Sequence, residues 1–185
     1  MKFNQEKIEQ AVKMIFEAIG ENPNREGLIN TPRRIGQMYQ EILSGLHEDI
    51  SDKITIYSED KHQEMVVVKD ITFHSMCEHH LLPFFGTVKV AYIPDSKILG
   101  ISKIAKITEH FSKRLQLQER LTSQIADNIM DFVQPQGVMI IIEAEHLCLS
   151  MRGIKKPGTS IVTSAVRGLF DSDSKTRNEA LELFK

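Results

Sequence analysis

Glu64-Met65-Val66-Val67-Val68-Lys69-Asp70-Ile71-Thr72-Phe73-His74 and Phe84-Phe85-Gly86-Thr87-Val88-Lys89-Val90-Ala91-Tyr92-Ile93 decide the fold class. Both runs are rich in β-branched and aromatic residues, and Pro94-Asp95 closes the second, so both are expected as strands. Two helices follow. Ile104, Ile107 and Phe111 share one face of the first, which Ser102 is placed to cap, and Leu121, Ile125, Ile129 and Phe132 form the stripe of the second. Gly137 to Met151 returns to strand, Ser160 to Arg167 makes a last one, and a short polar helix spans roughly 174–184. Upstream, Ile54 to Tyr57 suits a strand. Residues 4–20 carry Ile8, Val12, Ile15, Phe16 and Ile19 at helical spacing, with Gly20 closing the helix. Thr31-Pro32 offers an N-cap and a first-turn proline to a second helix, whose stripe is Ile35, Met38, Tyr39, Ile42 and Leu43. Helices and strands arrive in blocks, which predicts an α+β fold with antiparallel hairpins and excludes alternating βαβ units. One domain over 1–185 is expected, with 1–47 as a helical N-terminal appendage to a body over 48–185.

The composition narrows the class of function. The 185 residues suit one domain, and 41% hydrophobic against 26% charged residues is a globular balance. Twenty-three basic and 25 acidic side chains leave a formal net charge of -2, which argues against a nucleic-acid partner but leaves room for a local cationic pocket. No apolar run approaches the ~18 residues of a membrane span, and the longest clean one is Val138 to Ile142. No membrane partner is expected. Met1-Lys2-Phe3-Asn4-Gln5-Glu6 is too polar for a secretory signal, and two cysteines suit a reducing, cytoplasmic setting.

The densest chemistry is Cys77-Glu78-His79-His80-Leu81-Leu82-Pro83-Phe84. A cysteine and a histidine three apart can sit on one turn and bind one borderline cation. The other cysteine lies far along, in Glu145-His146-Leu147-Cys148. If that segment is a strand, His146, Cys148, Ser150 and Arg152 point to one face. A Cys, His, Cys set leaves the fourth corner of tetrahedral zinc to water, as catalytic sites do. Burial of both cysteines as inert small hydrophobes is the competing reading of the local residues.

Cationic segments are scattered. Gly100-Ile101-Ser102-Lys103-Ile104-Ala105-Lys106 opens a helix, where free N–H groups favour anions. Arg152-Gly153-Ile154-Lys155-Lys156 and Thr31-Pro32-Arg33-Arg34 add charge elsewhere. A solvated basic surface is the plain alternative for each. Gln118-Glu119-Arg120 opens the next helix; its carboxylate can accept two N–H bonds from a guanine edge, or simply favour a helix start.

Taken together, these segments resemble GTP cyclohydrolase I. The carriers are Phe73 through Gly86, Gly100-Ile101-Ser102-Lys103, Gln118-Glu119-Arg120-Leu121-Thr122, His146-Leu147-Cys148-Leu149-Ser150-Met151-Arg152-Gly153, Thr163-Ser164-Ala165, Gly168-Leu169-Phe170 and Thr31-Pro32-Arg33-Arg34-Ile35. The resemblance runs from about residue 5 to 184. It implies a tunnelling fold, with antiparallel hairpins flanking two helices, and a homodecamer with active sites at subunit junctions. The implied activity is zinc-dependent hydrolysis of GTP to 7,8-dihydroneopterin triphosphate and formate, the first step of folate and pterin biosynthesis.

Carried over residue by residue, Cys77, His80 and Cys148 match the family's zinc ligands. His79 matches the histidine that protonates the purine at N7, and His146 the second catalytic histidine. Glu119 matches the guanine-anchoring carboxylate, with Gln118 beside it. Ser102 and Lys103 match residues near ribose and phosphates, Ser102 with an assisting catalytic role. Lys106, Arg152 and Arg34 match triphosphate contacts, Arg34 reaching a neighbouring subunit's site. Two positions depart: Lys106 stands where the family often has Arg, losing the bidentate fork, and Gln37 where it often has Lys. A related tunnelling-fold group instead uses a nucleophilic cysteine without catalytic zinc, and a non-enzymatic nucleotide-binding scaffold is a further alternative.

Overall fold

In the computed structural model the chain is described over residues 2–51, 54–57 and 62–185. Met1, which opens the polar N-terminal segment, lies outside them. The chain divides into two compact units, Met1–Glu48 and Asp49–Lys185.

The first unit is a pair of packed helices, α1 (Gln5–Ala18) and α2 (Thr31–Ile42). Asn4 caps α1 by accepting from the Lys7 amide at 2.9 Å, and Gly20, at φ 81°, ends it as the sequence suggests. The expected cap of α2 is shifted by one residue. Thr31 is the first helical residue, and Asn30 precedes it without a side-chain cap bond. Thr31 Oγ1 instead donates back to the Gly27 carbonyl at 3.4 Å.

In the second unit the elements are β1 (Ile56–Tyr57), β2 (Val66–Cys77), β3 (Pro83–Ile93), β4 (Ile98–Leu99), α3 (Ile101–Ser112), β5 (Leu115–Gln116), α4 (Gln118–Val133), β6 (Gly137–His146), α5 (Leu147–Ser150), β7 (Ser160–Gly168), α6 (Leu169–Ser172) and α7 (Ser174–Leu183). The main sheet has the order β5-β2-β3-β6-β7. β2 with β3 and β6 with β7 are antiparallel hairpins, and α3 and α4 lie between them in the chain. This is the α+β tunnelling arrangement that the hairpin reading and the resemblance anticipate. A register shift between Val68 and Ile71, with Asp70 at φ 57°, puts a bulge into β2.

Alternation along the strands separates two cores. Val88, Val90 and Tyr92 on β3 and Val138, Ile140 and Ile142 on β6 meet Ile104 and Ile107 of α3 and Leu121, Ile125 and Ile129 of α4, all fully buried. Each such side chain contributes about 1.5–3 kcal/mol by leaving water. The intervening Ala91 and Met139 face the other way, onto Phe170, Ala180 and Phe184. Lys89 Nζ donates to the Phe184 carbonyl at 3.0 Å and ties the C-terminal helix to the sheet.

Two expectations are corrected. Ser102 does not cap α3: the helix begins at Ile101 after Gly100, so Ser102 sits inside the first turn. Strand pairing also ends at His146, and residues 147–150 form a helical turn. Phe84 is the last residue of β3 that pairs with β6, and before it stands Pro83, which has no amide to extend the ladder. The chain therefore turns, and Cys148 leaves the strand line expected for it.

Gly86 shows how closely β3 and β6 approach. A Cβ there would lie 1.9 Å from the Glu143 carbonyl oxygen and 2.7 Å from the Ala144 Cα. Both neighbours are backbone and cannot yield cheaply. Gly86→Ala is expected to cost at least the ~1–3 kcal/mol of core overpacking, read as a lowered Tm by calorimetry; an unchanged Tm would show that the strands can part.

Candidate active site

The sheet register assembles the site. β2 ends at Cys77, the chain turns through 78–82, and β3 pairs back with Met76 opposite Pro83. The turn is closed by the Leu81 amide donating to the Cys77 carbonyl at 3.0 Å and the Cys77 amide donating to the Leu82 carbonyl at 2.9 Å. Leu81 takes φ 51°, a left-handed conformation within this turn. On the far side of β3, Phe84 pairs with His146. The α5 turn then carries Cys148 to the same end of the sheet. On the near side, β5 runs parallel to β2 with Gln116 opposite Cys77, and the Glu78 amide donates to the Gln116 carbonyl at 3.1 Å. Two residues on, α4 begins with Gln118 and Glu119.

Cys77, His80 and Cys148 are thereby brought together, their donor atoms all within 4.8 Å of one another. Cys77 Sγ lies 3.9 Å from His80 Nδ1. Ligands held ~2.0–2.3 Å from one tetrahedral ion are themselves about 3.3–3.8 Å apart, so the spacing fits a metal with little adjustment. The donor chemistry fits as well. Burial, and then the neighbouring Cys77, push the Cys148 thiol above its ordinary pKa. Two thiols crowded in this way repel as thiolates unless a cation lies between them, and a divalent ion reverses that sign. The cluster can hold a metal ion.

His146 stacks on Phe84 with centroids 4.5 Å apart and planes 7° from parallel. Its Nε2 is 2.8 Å from Gln118 Oε1. Burial lowers its pKa, and the charge of Glu119 opposes that shift. His79 is exposed at the turn, its ring edge-on to His80 with centroids 6.2 Å apart. Glu119 is exposed on the first turn of α4. Arg152 is exposed beyond α5 and close enough to Cys148 for its charge to act on the thiol.

The other expected site residues are not members of the Cys77, His80 and Cys148 cluster. Ser102, Lys103 and Lys106 lie on the first turns of α3 and make no side-chain hydrogen bond or ion pair among the described residues. Arg34 is exposed on α2 in the first unit.

Three features escape a reading of the sequence alone. Arg120 grips Glu78 through its two terminal guanidinium nitrogens, at 2.5 and 3.1 Å, and holds that carboxyl below its usual range. The pair ties the metal-type turn to the start of α4. Phe84 forms the floor beneath His146. Thr122 and Thr163 join Gln118 in a buried polar network. The motifs Gln118-Glu119-Arg120-Leu121-Thr122 and Thr163-Ser164-Ala165 are the signals for the last of these, and neither names the other as its partner.

The GTP cyclohydrolase I family model matches residues 8–185. The chain belongs to the GTP cyclohydrolase I family. A protein named GTP cyclohydrolase 1 from Caldanaerobacter subterraneus subsp. tengcongensis is 60% identical over 181 residues, covering 97% of this chain and 96% of its own. Its namesake from Bacillus subtilis strain 168 is 55% identical over 183 residues, covering 98% and 96%. Among solved structures, the archaeosine synthase QueF-Like in the apo form overlays 56% of this chain and 93% of its own, at a TM-score of 0.46 and 22% identity. No helix among the described residues is long and apolar enough to cross a membrane.

Elemental analysis of the purified protein is expected to find about one divalent ion per chain. Cys77→Ser should reduce that to background, while metal retained in full would place the ion elsewhere.

Proposed function

We propose that the chain is a zinc-dependent hydrolase of the cytoplasm. It converts GTP and water to 7,8-dihydroneopterin triphosphate and formate, opening folate and pterin biosynthesis. The observation that carries this reading is the convergence of Cys77, His80 and Cys148 beside a helix start bearing Glu119 and beside His146. Zinc is the ion assigned to the cluster, because two thiols and an imidazole are its preferred donors and three protein ligands mark a catalytic site. When bound, zinc lowers the pKa of its water toward ~7 and so supplies a nucleophile at neutral pH.

The protein's own groups do the rest. The Glu119 carboxylate accepts from the guanine ring N–H and exocyclic amine, which selects guanine and fixes its orientation. His79, exposed next to His80, delivers a proton to N7 as C8 is attacked, a task for which histidine is suited near neutral pH. His146 and Ser102 assist proton movements in the ribose rearrangement and ring closure that follow formate release. Lys103, Lys106 and Arg152 take the phosphates. Arg34 contributes from a neighbouring subunit in a homodecamer. Lys106 in place of a forked arginine gives a softer triphosphate grip.

A thiol-nucleophile enzyme has less support. Both cysteines stand with His80 in one cluster whose donor atoms lie within 4.8 Å of one another, an arrangement that suits a metal better than a lone nucleophile.

Incubating zinc-analysed protein with GTP while following formate and pterin fluorescence tests the reading. Cys148→Ala is expected to abolish formate release and zinc retention together; full activity in that variant would end it. Glu119→Gln should keep its zinc and lower kcat/KM for GTP by about 10²-fold, the scale of one charged hydrogen-bond pair.

A further inference from the structure

Gln118 is 2% exposed, and both ends of its carboxamide are engaged. Nε2 lies 3.0 Å from the Ile142 carbonyl, 3.0 Å from the Ile161 carbonyl and 3.1 Å from Thr163 Oγ1. Two of these neighbours are backbone oxygens that can only accept. Turning the amide over would set its oxygen against both, so the nitrogen must face them. The hydroxyl partners agree. Thr122 Oγ1 lies 2.6 Å from the Gln118 backbone carbonyl and spends its one proton there. Thr163 Oγ1, 2.7 Å from Thr122 Oγ1, must then donate to Thr122, and it faces Nε2 as a third acceptor around the two amide protons. The orientation of the amide is fixed by oxygens that have no choice.

The consequence falls on His146. Gln118 Oε1, 2.8 Å from His146 Nε2, carries no proton, so the ring nitrogen has to donate. We infer that Gln118 is a positioning residue that holds a proton on His146 Nε2, so that whenever the ring is neutral Nδ1 is the lone-pair nitrogen left for substrate. Phe84, stacked at 4.5 Å and fully buried, holds the ring plane in which this bond forms. The Gln118 side chain thus acts on substrate through His146, since neither end of its amide is free for a ligand. This deepens the proposed function and rests on it for the role of His146, whereas the tautomer itself stands on the hydrogen bonds alone.

Neutron diffraction from deuterium-exchanged crystals of the zinc-loaded, assembled enzyme tests the inference without any substitution. A deuteron on His146 Nε2 directed at Gln118 Oε1 is expected. A bare Nε2 overturns the inference whether or not the protein turns over GTP, so its failure is distinct from failure of the proposed activity. A kinetic arm uses Gln118→Met, which removes the acceptor at similar length. If the variant keeps its zinc, kcat should fall by about 10²-fold, the lower end for general acid–base catalysis, with KM little changed. A raised KM with unchanged kcat would mean direct substrate contact and would overturn the inference. Should the variant not fold, the neutron result decides alone.

Discussion

Two thiols and an imidazole from positions 77, 80 and 148 share a space less than 5 Å across, and much of the second unit serves to bring them there. The distance in sequence between the cysteines is closed by three strands. β2 delivers Cys77 and its turn, β3 runs back from the turn, and β6 pairs with β3 until His146 meets Phe84. The ladder stops where Pro83 removes an amide, and that stop lets the chain bend Cys148 toward the turn. The helical layer sits behind this frame. Leu121, Ile125 and Ile129 bury α4 against the sheet, and the same helix starts two residues after Gln116 pairs with Cys77.

The electrostatics follow from this crowding. Burial and a second thiol disfavour the thiolate of Cys148, so the cluster is poised for a cation that restores the balance. Around it the protein spends fixed polar groups. The Arg120–Glu78 fork is exposed and adds little to global stability, but it joins the turn to the helix that carries Glu119. The Gln118 network is buried and fully directed, and it imposes a single orientation on an imidazole that would otherwise have two neutral forms.

Much of the architecture was legible in the sequence. Strand patterning at 64–74 and 84–93 and the stripes at Ile104, Ile107, Phe111 and Leu121, Ile125, Ile129 located the hairpin and the two helices. Cys77, His80 and Cys148 stood out by residue type and motif. What local reading missed depends on long-range pairing. The strand expected through Cys148 failed because β-propensity cannot report where a partner strand ends. Ser102 failed as a cap because the chain enters α3 from Gly100 in an extended conformation, and the helix begins one residue before the serine. In the sequence Gln118 stands only as the neighbour of Glu119. Its engagement with Ile142, Ile161, Thr163 and His146 exists only once β6 and β7 lie against α4.

The central claim is that Cys77, His80 and Cys148 jointly ligate one ion with a corner left open. X-ray absorption at the zinc edge of the assembled, zinc-replete protein tests it most directly. The account predicts two sulfur scatterers near ~2.3 Å and two light scatterers, nitrogen and oxygen, near ~2.0–2.1 Å. A first shell holding one sulfur or none, or four sulfurs, would contradict it.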